Sequence, residues 1–117
     1  AIKVLKEFNG IVEQATEDEL ANASAQADKT GLFSCPHTGV ALAVLIKLLD
    51  KKEIKPHEKV VVISTAHGLK FPEFKINYHE NRLEEVTPRF ANLPVEVPPQ
   101  YDAVRTAIYR KLDQASS

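Results

Sequence analysis

The sequence predicts an α/β fold in which helices flank short parallel strands, followed by an extended arm and a final helix. Helical and extended patterns alternate in the order helix, strand, helix, helix, strand along the first part of the chain. Residues 59–64, KVVVIS, form the apolar run typical of a strand buried on both faces. Residues 40–49 are apolar almost throughout, which indicates a helix buried on several sides. We therefore expect an α/β layer with at least one right-handed crossover, although two strands make no sheet that stands alone.

The chain opens with a helical pattern and a short strand. Ile2, Leu5 and Phe8 recur three apart on one face, and Asn9-Gly10 supplies residues that tolerate the left-handed conformation at a helix end. Residues 11–12 are predicted to begin a short strand. Because the first residues already follow a helical pattern and no leader precedes them, we interpret the chain as a segment entered midway.

The second helix is predicted from its capping residues. Thr16 and Glu19 match a capping box, in which each side chain satisfies a backbone N–H of the other residue. The helix is expected to run to Lys29, where Thr30-Gly31 ends it. It is rich in small residues, so a neighbouring element can approach it closely: Ala21, Ala23, Ala25 and Ala27.

The last part of the chain reads differently. Residues 71–99 contain aromatic residues and prolines without a regular period, so we predict an irregular extended arm. Residues 101–114 form a helix with one apolar stripe, made of Tyr101, Val104, Ile108 and Leu112. The predicted division is a partial α/β domain over residues 1–70 and an arm with its terminal helix over residues 71–117.

Composition excludes several classes of partner. Lys and Arg total 15 against 16 Asp and Glu. This near-neutral charge does not indicate binding to nucleic acid or to an anionic membrane. The longest apolar run, residues 40–46, is far shorter than the roughly 20 residues that span a bilayer. The single Cys35 cannot form an internal disulfide, which fits a reducing compartment.

Two loops are candidates for chemistry. Residues 64–70, STAHGLK, follow the predicted buried strand, and ligands of open α/β sheets gather beyond the carboxyl ends of strands. Thr65 and His67 are placed for that crevice. The alternative interpretation is an ordinary turn in which Gly68 adopts a positive φ angle.

The second loop, residues 35–39, lies at a predicted helix start, where free N–H groups favour an anion and Thr38 or His37 is expected to cap the helix. A Cys35 nucleophile activated by His37, as in a small hydrolase, and a Cys35 that is simply a small buried hydrophobe are both open. A metal site from Cys35, His37, His67 and His79 lacks ligand spacing, so none is predicted. No glycine-rich phosphate-binding motif is present.

Three motifs together resemble one family. NGIVEQATEDEL, FSCPHTGVAL and VVISTAHGLKF occur here in the order typical of the C-terminal portion of threonine synthases, particularly the plant type. The resemblance implies part of the large cofactor-binding domain of a pyridoxal-phosphate enzyme with the tryptophan-synthase-β-like fold, fold type II. It also implies conversion of O-phospho-L-homoserine and water to L-threonine and phosphate.

The resemblance assigns roles to the two loops. Thr65 would meet the pyridine nitrogen of pyridoxal phosphate, flanked by Ser64 and His67, and Gly68 would allow close approach of the backbone. A hydroxyl neighbour does not hold that nitrogen protonated, so electron withdrawal by the ring is moderated. The same resemblance places three residues in the substrate pocket: Cys35, His37 and Thr38.

No catalytic residue is assigned within the chain. The family's cofactor-binding lysine and phosphate loop belong to earlier sequence, and neither Lys70 nor Lys47 matches that lysine. The segment alone is therefore expected to be inactive and to act with the remainder of the polypeptide or by self-association. A plastid stroma follows from the plant resemblance, with the cytoplasm as the alternative. The rival interpretation is a truncated, noncatalytic paralogue that dimerises or packs on another chain.

Overall fold

The computed structural model describes residues 1–115, so the end of the predicted unit 71–117, Ser116 and Ser117, lies outside the described residues. This part of the chain is mostly helical. Its elements are α1 (Ile2–Glu7), α2 (Glu17–Asp28), α3 (Pro36–Asp50), a short 3₁₀ helix (Gly68–Lys70), α4 (Pro72–His79) and α5 (Tyr101–Ala115).

The predicted end of α1 and the predicted start of α2 are confirmed. α1 is closed by Asn9 at φ 52° and by a hydrogen bond of 2.7 Å from the Gly10 N–H to the Leu5 carbonyl, the pattern of a Schellman motif. At the start of α2 the Thr16 N–H donates to Glu19 Oε2 at 2.8 Å, and the Glu19 N–H donates to Thr16 Oγ1 at 3.2 Å. The capping box read from the sequence is therefore present on both sides.

The packing of α2 against α3 forms the centre of the structure. Six consecutive residues of α2, 20–25, are buried. Gly39 in the first turns of α3 faces them so closely that a Cβ atom there would lie 2.5 Å from the Leu20 carbonyl oxygen. The expected close approach to the alanine-rich helix is thus confirmed. Leu20, Ala21 and Ala25 of α2 and Tyr78 of α4 form the core cluster.

The predicted extended chain over residues 71–99 is wrong at its start, because α4 occupies Pro72–His79. Pro72 at the first helical position has no N–H to leave unsatisfied, so it fits a helix start. Tyr78 is buried, and its hydroxyl donates to Asn22 Oδ1 at 2.8 Å and accepts from the Phe90 N–H at 3.2 Å. Beyond α4, residues 81–100 contain no helix or strand, as predicted for the arm.

The predicted parallel strands are not formed within residues 1–115. Residues 59–65 make no backbone hydrogen bond to another described backbone group. They are also not buried on both faces, since Val61 is 88% and Ile63 is 76% exposed. Residues 11–12 are likewise exposed and outside any strand. A strand needs a neighbour to satisfy its backbone groups, and the described chain supplies none.

The apolar helix is only half covered. Within residues 40–49 of α3 only Ala43 is buried, so residues 1–115 do not provide the predicted burial on several sides. The exposed surface totals 9259 Å², against roughly 6,300 Å² expected from the scaling of compact monomers of this mass. Within the described residues, no helix has the length and apolar character needed to cross a membrane. The large exposed surface and the half-covered α3 show that much apolar surface of this chain is not packed against other described residues.

Candidate functional site

The two loops singled out in the sequence lie side by side. An antiparallel bridge pairs Ser34 with His67. Its two hydrogen bonds run from the Gly68 N–H to the Phe33 carbonyl at 2.8 Å and from the Cys35 N–H to the Ala66 carbonyl at 3.2 Å. This contact joins the start of α3 to the segment that carries the STAHGLK motif.

The side chains at this junction form a chain of hydroxyls and one thiol. Cys35 Sγ lies 3.4 Å from Thr38 Oγ1 and 3.7 Å from Thr65 Oγ1, and Thr38 Oγ1 lies 3.2 Å from Ser64 Oγ. Cys35 and Thr38 are buried, whereas Ser64 and Thr65 are exposed. Four of the predicted site residues are therefore brought together, and two of them present hydroxyls to the surface.

Cys35 immediately precedes the first residue of α3. It is the N-cap and Pro36 follows it at the first helical position, so the prediction that Thr38 or His37 caps the helix is wrong. Burial raises the pKa of the Cys35 thiol. Hydrogen bonds from the Thr38 hydroxyl and N–H, from Thr65 and from His37 outweigh that effect and lower the pKa to about 6. The thiolate is therefore favoured at neutral pH.

The remaining predicted site residues lie at the rim of this junction. His37 is exposed, with its ring 5.4 Å from that of Phe71. His67 is also exposed, and its Nδ1 accepts a hydrogen bond of 3.2 Å from the Leu69 N–H, which caps the 3₁₀ helix. Gly68 is buried, and a Cβ atom there would lie 2.7 Å from the Phe33 ring. Gly68 thus allows the two loops to approach, at a φ angle that is not positive.

The geometry does not favour the hydrolase or metal interpretations. Cys35 has no exposed surface, so its sulfur does not face a cleft from which a substrate could be attacked. Residues 1–115 contain no group of three or more His, Cys, Asp or Glu side chains arranged to hold a metal ion. What the junction offers at its surface is hydroxyl groups, each of which can donate and accept a hydrogen bond.

A buried polar network beneath the loops was missed in the sequence. It consists of Ser24, Asp28, Ser34 and Lys75. One signal was available for Asp28, because an acidic residue in the last turn of a helix lies at the negative end of the helix dipole and so indicates a specific partner. Nothing in the local sequence indicates that Lys75 is buried.

Comparison with known proteins gives a consistent result. No family model matches the chain. It is 52% identical to "Threonine synthase 2, chloroplastic" of Arabidopsis thaliana over 89% of this chain and 20% of that protein. It is 33% identical to "Threonine synthase" of Methanocaldococcus jannaschii over 72% of this chain and 21% of that protein. With "Threonine synthase" of Methanosarcina acetivorans the identity is 31%, over 95% of this chain and 25% of that protein.

The chain thus spans between a fifth and a quarter of the length of these three relatives. The partial coverage is consistent with a C-terminal portion, as the three motifs predict. The resemblance read from NGIVEQATEDEL, FSCPHTGVAL and VVISTAHGLKF is confirmed, because over most of its length the chain is similar to proteins named threonine synthase.

Proposed function

We propose that this chain is the C-terminal portion of a threonine synthase, which converts O-phospho-L-homoserine and water to L-threonine and phosphate using pyridoxal phosphate. The observation that carries the proposal is the 52% identity to the Arabidopsis thaliana protein named threonine synthase. The two motif loops also meet at one junction, with Cys35 Sγ and Thr65 Oγ1 3.7 Å apart although they are separated by 30 residues. The two motifs that carry the resemblance therefore also lie together in the structure, as residues of one binding site must.

The exposed hydroxyls fit a pyridine ring. Thr65 Oγ1 is held by Cys35 on one side, and Ser64 Oγ is held by Thr38. When the ring is bound, the Thr65 O–H would turn from Cys35 Sγ to donate to the neutral ring nitrogen, and a hydroxyl brings no negative charge that would keep that nitrogen protonated. Thr65 would hold the pyridine nitrogen, with Ser64, His67 and Gly68 around it. When bound, pyridoxal phosphate supplies an electron sink for carbanion chemistry.

The chain's own contribution is binding and orientation. Thr65 would fix one edge of the cofactor, and the loop of Cys35, His37 and Thr38 would lie on the substrate side, where His37 is the exposed member of the three. The cofactor-binding lysine and the phosphate loop lie in the part of the enzyme that this chain does not cover, so the segment alone has no turnover. Residues 59–64 become a parallel strand when strands of that part pair with their free backbone groups. The plant relative named chloroplastic supports a plastid location.

A noncatalytic interaction module is the second candidate. The feature that favours it is the exposed apolar stripe of α5, formed by Tyr101, Val104 and Ile108. In this case the chain would pair with itself or another polypeptide through the stripe. Both candidates predict that the stripe is covered in the assembly, but only the first predicts a role for Thr65.

Replacement of Thr65 in the complete polypeptide that carries this segment tests the proposal. Thr65→Val removes the hydroxyl at nearly constant shape, and we expect the affinity for pyridoxal phosphate and kcat/KM for threonine formation to fall by about tenfold, the effect of one lost hydrogen bond. Thr65→Ser keeps the hydroxyl and should retain most of both. Thr106→Val, on the exposed side of α5, is the matched control.

The readouts are cofactor titration by visible absorbance and phosphate release from O-phospho-L-homoserine. If the complete polypeptide forms no threonine, the enzymatic proposal fails and the interaction module takes its place. If Thr65→Val equals the wild type in both readouts, Thr65 is not the cofactor contact.

A further inference from the structure

Lys75 is a charged side chain in an unusual place. It lies on α4, is 6% exposed and has its ammonium 4.9 Å from the centre of the Phe33 ring. Its Nζ donates to Asp28 Oδ2 at 2.6 Å and to Ser24 Oγ at 2.8 Å. A buried ammonium is costly unless it is paired and hydrogen-bonded, and here both conditions are met.

The partner carboxylate reaches the candidate site. While Asp28 Oδ2 accepts from Lys75, Asp28 Oδ1 accepts the Ser34 N–H at 3.2 Å. Ser34 Oγ also lies 3.4 Å from Ser24 Oγ, so two contacts hold Ser34 on α2. The Asp28 carboxylate thus holds both α4 and Ser34 at the C-terminal end of α2.

Ser34 connects this network to both motif loops. It precedes Cys35 directly, and its bridge partner is His67, two residues after Thr65. No other β-type pairing is found in residues 1–115, and the backbone of residues 59–65, just before His67, has no described backbone partner. The place of the Thr65 hydroxyl therefore depends on where Ser34 is held.

A buried ion pair is weak grounds for stability, because well-packed apolar residues of similar size serve as well or better. Apolar residues, however, could not accept a hydrogen bond from the Ser34 N–H, as the Asp28 carboxylate held by Lys75 does. We propose that Lys75 is a positioning residue: its ion pair with Asp28 fixes Ser34 and thereby sets the Thr65 hydroxyl against Cys35 at the cofactor site. This inference rests on the proposed function for the identity of the ligand. The role of Lys75 in holding Thr65 beside Cys35 does not depend on that function.

The test compares two lysines of the complete polypeptide that both pair with acids of α2. Lys75→Met removes the buried ammonium. Lys47→Met removes an ammonium that is 2.8 Å from Glu19 Oε2 and lies 12 residues along the chain from Cys35, about 18 Å of helix. We expect Lys75→Met to weaken pyridoxal phosphate binding by about tenfold. Lys47→Met should leave it unchanged, and Lys75→Arg should restore most of it.

A second readout needs no cofactor. In a Thr65→Cys background the introduced thiol lies near Cys35, and oxidised glutathione can take up the two electrons and two protons released when the two thiols form a disulfide. Peptide mass spectrometry follows the rate of this bond. We expect Lys75→Met to slow it by about tenfold relative to the same background, because the loops no longer hold the two residues together. Lys47→Met should not slow it.

The outcomes separate the two proposals. Should the wild type bind no pyridoxal phosphate, the proposed function is overturned and the disulfide rate alone decides the role of Lys75. Should Lys75→Met match the wild type in disulfide rate, the positioning role is overturned even if the function stands. If Lys75→Met does not fold, the double variant Lys75→Met/Asp28→Leu replaces it, since it removes both charges and the acceptor of the Ser34 N–H without leaving a buried charge unpaired. An unchanged rate there overturns the inference equally.

Discussion

Replacement of Gly39 by alanine is the sharpest test of how α2 and α3 pack. An added Cβ would lie 2.5 Å from the Leu20 carbonyl oxygen and 3.1 Å from Ser24 Cβ, whereas ordinary van der Waals contact begins at 3.4 Å. The shortfall at the carbonyl, 3.4 minus 2.5, is about 0.9 Å. A backbone carbonyl of a helix cannot rotate away, so the two helices must separate.

The expected magnitude follows from two opposed effects. Overpacking in a close-packed core costs about 1–3 kcal/mol. Alanine has a higher helix propensity than glycine and returns about 1 kcal/mol. Because the clash at Gly39 involves the backbone of Leu20, we place its cost in the upper half of that range. The net loss in the free energy of unfolding is therefore about 1–2 kcal/mol.

Urea denaturation followed by circular dichroism measures this loss as a lower midpoint at an unchanged slope. Gly39→Val should lower the midpoint further, because its branched side chain adds two methyl groups beside the same clash. Gln26→Ala, at an exposed position of α2, is the control and should stay within about 0.5 kcal/mol of the wild type. A midpoint that rises in Gly39→Ala would refute the reasoning, since it would mean that helix propensity alone acts at this position.

Two further predictions concern buried polar groups. Tyr78→Phe leaves the Phe90 N–H without its acceptor and Asn22 Oδ1 without one donor, so we expect the free energy of unfolding to fall by about 1–2 kcal/mol in urea denaturation, and no change would contradict the hydrogen bonds described. The pKa of Cys35 is lowered in the folded state from 9.0 to about 6, so its thiolate contributes stability above the unfolded thiol pKa that is lost as pH falls through about 6. The urea midpoint of the wild type relative to Cys35→Ser should therefore rise between about pH 6 and 9, and a constant difference would show that the thiol pKa is not lowered.

Local signals predicted the helix boundaries well. The capping box of Thr16 and Glu19 and the stop at Asn9-Gly10 are each decided by atoms within a few residues of one another, so the sequence contains all that is needed. α4 was missed because it is only 8 residues long and its apolar residues, Phe74, Ile76 and Tyr78, also fit the alternation of an extended segment. The proline at its first position is a local start signal, whereas the buried Tyr78 holds the helix in place through hydrogen bonds with residues distant in sequence.

The strand prediction failed for the opposite reason. Residues 59–64 have the composition of a buried strand, and composition reports what surroundings a segment suits. A strand exists only when another backbone satisfies its hydrogen bonds, and no described residue does so. The exposed Val61 and Ile63 and the half-covered α3 show the same mismatch between sequence and surroundings. Both surfaces suit a packing neighbour that the described residues do not supply.

The candidate site was predictable in part because its two loops carry recognisable motifs, but their meeting depends on the buried network that no motif marks. Ser64 and Thr65 end a segment without backbone partners, yet their hydroxyls are held by Thr38 and Cys35 at the start of α3. α3 is in turn held on α2 by the close approach of Gly39. Among residues 1–115 the junction is thus organised by helix packing and by the antiparallel bridge between Ser34 and His67, without a sheet. It follows that pairing of residues 59–64 with further strands would add rigidity to a site whose side chains are already in contact, and need not create it.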